Sequence, residues 1–209
     1  MAWSWGDGHM FRIALTGGIA TGKSHVRAQF EALGLRTIDS DVLARQAVAR
    51  GTPGLAAVVG RFGAAVLDAS ASLDRRKLGS IVFSDPRARQ DLEAIVHPFV
   101  RADTDRWFAG LERQGAAIAL ADVPLLYEVG REGDFDAVVV AACDPATQLT
   151  RVMTRDEITE FEARQRIAAQ LPIEEKAGRA NYVIRTDGTF EETGKQVAQV
   201  YRSLVGGEG

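Results

Sequence analysis

Apolar and polar positions follow two rhythms along this chain. Short segments suited to strands recur at 11–16, 35–38, 116–121, 137–142 and 181–185, and those at 116–121 and 137–142 are apolar without interruption. Segments of that length predict strands, and the two unbroken runs suit a parallel sheet covered on both faces. Between them, apolar residues return every three or four positions, the period of a helix with one buried side. Val26, Phe30 and Leu33 mark such a side over 22–33, with Gly34 as its stop. Helices are also predicted over 40–50, closed by Gly51, and over 53–62, with Pro53 in the first turn. Residues 73–113 read as almost wholly helical, and Pro98, just after His97, is expected to break or kink that run. Residues 148–169 predict one arginine-rich helix, and Val197, Val200, Tyr201 and Leu204 mark a last one. Alternating strands and helices over the whole length predict a doubly wound α/β fold with about five parallel strands flanked by helices. Ligands of such sheets bind where strands end, which directs attention to the residues after 16, 38, 121, 142 and 185.

Composition narrows the picture only modestly. The 209 residues suit one compact domain, and 46% hydrophobic residues suffice for a core. A net charge of −3 argues against nucleic acid as a partner. Cys143 is the single cysteine, so no intrachain disulfide forms and a reducing, cytoplasmic setting is expected. No stretch has the length and apolarity of a membrane span. Residues 1–10 lack the basic flank and apolar core of a signal peptide and are read as an extension outside the fold. The domain is expected over 11–204, with 205–209 a frayed tail, and as a monomer or weak homo-oligomer.

The first strand leads into Gly17-Gly18-Ile19-Ala20-Thr21-Gly22-Lys23-Ser24, which fits G-x-x-x-x-G-K-[ST]. Each part has a physical task. Glycines let backbone N–H groups curl inward toward phosphate oxygens, and the helix that follows adds its positive N-terminal end. Lys23 reaches the β- and γ-phosphates, and Ser24 offers its hydroxyl to Mg²⁺. A strand before the loop and an amphipathic helix after it supply the context such a loop needs. Residues 18–25, from Gly18 through Ile19, Ala20, Thr21, Gly22, Lys23 and Ser24 to His25, are therefore the expected ATP-binding segment.

Several residues refine the chemistry. Asp39 and Asp41 follow the second strand: one is expected to cap the next helix and one to accept the proton of an attacking hydroxyl. Asp122 ends the third strand, where a carboxylate beside such a loop assists Mg²⁺ directly or through water; the alternative is a capping aspartate. Arg151 and Arg155 share a helix face, as residues of a closing lid over about 145–175 would. A solvated charged face is the alternative. The chain has no N-K-x-D guanine signature and is short for a motor, which favours a small-molecule kinase.

The assembled segments resemble the dephospho-coenzyme A kinase family from about Phe11 to Leu204. They are LTGGIATGKS at 15–24, IDSD at 38–41, LEAIVHP at 92–98, DVPLLYE at 122–128, QLTRVMTRD at 148–156, RIAAQLP at 166–172 and EEK at 174–176. The resemblance implies a P-loop kinase fold with a helical acceptor-binding region and a lid. It implies transfer from ATP, with Mg²⁺, to the ribose 3′-hydroxyl of dephospho-coenzyme A, the last step of coenzyme A biosynthesis. It implies Asp41 as base, with Arg45, His97 and Glu128 on the acceptor side and Arg151 or Arg155 as lid arginine. Gln170 falls in the family's AQ segment. Two departures stand out. His25 replaces a frequent threonine, and Arg185 and Thr186 replace the usual late asparagine region, expected to border the adenine. From the residues alone, a kinase of another small acceptor and an ATP-hydrolysing regulatory protein stay open.

Overall fold

The computed structural model describes residues 10–206. The extension at 1–9 and the last three residues of the tail lie outside the described residues. Met10, read with the extension from sequence, is buried, and its amide donates to Glu112 Oε1 at 3.1 Å.

Two compact units divide the chain: residues up to Ile38 with those from Gly110 onward, and Asp39–Ala109. The first holds the sheet. Its strands are β1 (Phe11–Gly17), β2 (Arg36–Asp39), β3 (Ile118–Asp122), β4 (Ala137–Ala142) and β5 (Tyr182–Arg185). They lie in the order β2-β3-β1-β4-β5, and β1/β3, β1/β4 and β4/β5 pair in parallel. Every residue of β4 is buried, which explains its unbroken apolar run. The helices of this unit are α1 (Lys23–Ala32), α6 (Pro145–Asp156), α7 (Glu160–Ala168), α8 (Ile173–Gly178) and α9 (Phe190–Gly206). Ile13, Leu15, Leu120 and Val139 of the sheet share a core with Val26 and Phe30 of α1 and Val197 and Leu204 of α9.

The second unit is built from α2 (Ser40–Ala47), α3 (Pro53–Phe62), α4 (Arg75–Ser84) and most of α5 (Pro86–Arg113). Val48, Val58, Val66 and Leu78 form its core, with Leu92, Ile95 and Val96 packed against it.

Two helical expectations are corrected. Residues 148–169 are not one helix. α6 ends at Asp156, Glu157 takes the left-handed conformation at φ 53°, and Thr159 starts α7 with a capping box to Glu162. The T-x-x-E spacing was readable in the sequence; a charged, weakly apolar stretch gave no period to reveal the break. Pro98 does not break α5, which runs through it. Proline removes only its own bond to Ala94, and helix on both sides carries the run across.

Candidate functional site

The phosphate loop lies between β1 and α1, as the sequence predicts. Gly22 takes φ 81°, a left-handed turn that favours glycine, immediately before α1. At Gly17 a Cβ would come within 2.7 Å of the Ala141 carbonyl oxygen, so β4 packs where any side chain would stand. Inside the curl, buried Thr21 donates its hydroxyl to Gly18 O at 2.9 Å. Ile19 is gripped from both sides. Its amide donates to Gln170 Oε1 at 2.8 Å, and its carbonyl accepts from Gln148 Nε2 at 2.9 Å.

Lys23 and Asp122 meet directly. The Lys23 ammonium is ion-paired with Asp122, whose carboxylate is buried and also faces Arg27 Nη1 at 3.4 Å. Asp122 closes β3 and the segment beyond it is a turn, so it caps no helix. Ser24 stands in the first turn of α1.

A buried lysine that the sequence reading assigned no task braces this end of the sheet. Lys176 of α8 is fully buried. Its Nζ donates to Gly17 O at 3.2 Å and Pro124 O at 3.1 Å, and pairs with Glu128 Oε1 at 2.7 Å. Glu128 Oε1 also accepts from the Leu171 amide at 3.0 Å, while Oε2 is buried without a hydrogen-bond partner among the described residues. Glu128 therefore ties the 171–176 segment to the loop rather than standing free. Lys176 follows Ile173 by three positions, so both fall on the inward face of α8; that spacing was the available signal.

Arg151 and Arg155, four residues apart, part company. Arg151 donates to Thr186 Oγ1 at 3.1 Å and Thr186 O at 2.6 Å. The Thr186 hydroxyl in turn donates to Thr21 O at 2.8 Å, so Arg151 is linked to the loop through one side chain. Arg155 instead grips Asp156 at 2.7 Å on an exposed face. That contact raises the arginine's pKa, and it holds the Asp156 carboxyl below its ordinary range. Arg151 lines a cavity of about 310 Å³ with Ala20, Gly22, His25, Thr186 and Phe190. The His25 ring stands 4.6 Å from that of Phe190, and its Nε2 is buried without a hydrogen-bond partner among the described residues.

The second unit has its own cavity, of about 420 Å³. Of the four residues that the resemblance placed on the acceptor side, Asp41, Arg45 and His97 line it and Glu128 does not. Its remaining walls are mainly apolar, including Val48, Leu78 and Val96. Asp39 is the cap: its carboxylate accepts from the Asp41 and Val42 amides at 2.8 and 3.4 Å. Asp41 is exposed, and its side chain has no partner among the described residues. No group of three or more metal-binding side chains occurs among the described residues, and no helix among them is long and apolar enough to cross a membrane.

Comparison with known proteins finds relatives over nearly the whole chain. The sequence model of the dephospho-CoA kinase family matches residues 11–192. A dephospho-CoA kinase of Anaeromyxobacter dehalogenans is 48% identical over 197 residues, 94% of this chain and 93% of the relative. A crystal structure from Thermus thermophilus superposes with a TM-score of 0.79 at 32% identity, over 94% of this chain and 98% of that one. The dephospho-CoA kinase of Campylobacter jejuni gives 0.72 at 26% identity, with the same coverage.

Proposed function

The chain belongs to the dephospho-CoA kinase family, and on that premise we propose how its residues move the γ-phosphoryl group of ATP to the ribose 3′-hydroxyl of dephospho-CoA. The products are CoA and ADP. The observation that carries the assignment is the division of labour between two aspartates. Asp39 caps α2, and Asp41 faces the cavity with Arg45 and His97, its carboxylate without a partner among the described residues.

Asp41 takes the proton of the 3′-hydroxyl as its oxygen bonds to the γ-phosphorus. The bond from that phosphorus to the β–γ bridging oxygen breaks, and ADP leaves with the electron pair. Arg45 and His97 hold the acceptor near Asp41. Backbone amides of the loop, other than those of Ile19 and Thr21, and the Lys23 ammonium hold the β- and γ-phosphates. Arg151 is the lid arginine that faces the transferring group, because it lines the cavity beside Gly22 while Arg155 is engaged with Asp156. Charge spreads over the phosphoryl oxygens during transfer, so these fixed cations carry most of the catalysis. Glu128 acts through Lys176, by bracing the loop.

The donor set fits Mg²⁺. Ser24 offers a hydroxyl and Asp122 a buried carboxylate, and Mg²⁺ takes one or two such hard oxygens alongside waters and phosphates. When bound, the ion neutralises phosphate charge. The decisive assay measures ADP release from ATP and Mg²⁺ with and without dephospho-CoA, and the mass of the product. Acceptor-dependent release with one phosphate added is expected. A protein that binds ATP yet ignores dephospho-CoA sinks the proposal.

A further inference from the structure

Helix α4 carries one feature the transfer chemistry does not use. Arg75, Leu78, Gly79 and Val82 line the 420 Å³ cavity that holds Asp41. Gly79, Val82, Phe83 and Pro86 line a second cavity of about 300 Å³. The two share Gly79 and Val82, so a single stripe at spacings of three and four runs along the helix from one to the other. Between the cavities the helix is bare: a Cβ built at Gly79 would meet no atom within 4 Å. Glycine inside a helix costs stability, and nothing packs close enough here to require it. At the far end Phe83 is 87% exposed, an apolar side chain beside an open groove.

Resting on the proposed acceptor, we propose that Gly79 keeps open a channel for the extended thiol-bearing arm of dephospho-CoA. Asp41 fixes the ribose in the first cavity. Beyond the ribose the molecule continues through a diphosphate into a long arm that carries a gem-dimethyl group, a hydroxyl, two amides and a terminal thiol. Arg45 and Arg75 line the first cavity and match the diphosphate in charge. The arm then leaves over Gly79 and Val82 and ends against Phe83 and Pro86. Phe83 and Gly79 are specificity determinants that select an acceptor with an arm over one without.

The test is steric. Gly79→Leu places a side chain in the channel, and as a glycine replaced within a helix it is expected to fold. It should raise KM for dephospho-CoA about tenfold while KM for ATP moves less than about twofold. Phe83→Ala, at an exposed position, should raise the same KM about threefold. Unchanged KM for dephospho-CoA in both variants overturns the channel. An equal rise in both KM values for Gly79→Leu overturns it too, since the change is then general. Should Gly79→Leu fail to fold, Phe83→Ala alone decides, by the same ratio of the two KM values. Failure of the underlying reading looks different: the unaltered protein would not phosphorylate dephospho-CoA at all.

Discussion

Asp39 has extended dihedrals, φ −108° and ψ 116°, so its carboxylate reaches forward to the free amides that open α2. Asp41 lies inside the helix, where its side chain is turned out to the cavity. The two can be separated by experiment. Asp39→Ala should cost about 1 kcal/mol, seen as a lower urea midpoint. Asp41→Asn should lower kcat about 100-fold to 10,000-fold while leaving that midpoint in place. An Asp41→Asn enzyme with near-normal turnover would remove Asp41 as the base. Asp144 invites a different test. Hydrogen bonds from the Thr147 hydroxyl and amide hold its carboxyl at about 2, below an ordinary 3.8. Its depressed value means the charged form is favoured by folding. The stabilisation is therefore present above pH 4 or so and is lost as pH falls toward about 2. Asp144→Asn should lower the melting temperature at pH 7, and the gap from the unaltered protein should narrow across that window. A gap constant with pH would place the effect elsewhere. At this scale the sequence revealed residues whose chemistry is local, such as Lys23 in its loop. Gln148, Thr186 and Lys176 act on residues 129, 165 and 159 positions away, and no local pattern announces that.

Among the elements, α8 is short and binds through one residue more than through a stripe. Lys176 brings a charge into the interior, and Glu128 with two carbonyl oxygens makes that tolerable. Removing one partner leaves the other stranded. Lys176→Met should cost about 3–5 kcal/mol in urea unfolding. Adding Glu128→Leu should recover part of that loss, but only part, because Gly17 O and Pro124 O still lack their donor. A double variant no more stable than the single would show that the carboxylate contributes nothing beyond the carbonyl contacts. The bracing also ends on Gly17, so Lys176→Met should raise KM for ATP in protein that remains folded. The central strands were legible because burial on both faces writes itself as apolar runs, most plainly in β4. Helix ends were less so. The break after Asp156 is made by a left-handed Glu157 and a threonine cap, neither of which alters hydrophobic period.

For the molecule as a whole, strand order decides where function gathers. From β1 the chain first joins β2 at one edge, whereas β3 to β4 and β4 to β5 lead the other way, so β1 sits at the reversal. The loop that ends β1 therefore opens onto the place where α/β sheets hold ligands. The fold class and the loop were readable from sequence because both are periodic or contiguous; the strand order was not, since pairing joins residues more than a hundred positions apart. Cys143, just past β4, reports on the integrity of this centre. It is fully buried, and burial pushes its thiol above the ordinary value. A thiol reagent should react with it only through opening of the sheet. When reclosing outpaces reaction, the labelling rate measures the open population. A ligand that binds only the closed form lowers that population by one plus its concentration over Kd. ATP with Mg²⁺ at a hundred times Kd should therefore slow Cys143 labelling about 100-fold. Lys23→Ala, with its phosphate contact removed, should lose most of that protection at the same ATP concentration. Equal protection in both proteins would mean that ATP stabilises the sheet without engaging the phosphate loop, and the assignment of Lys23 would fall with it.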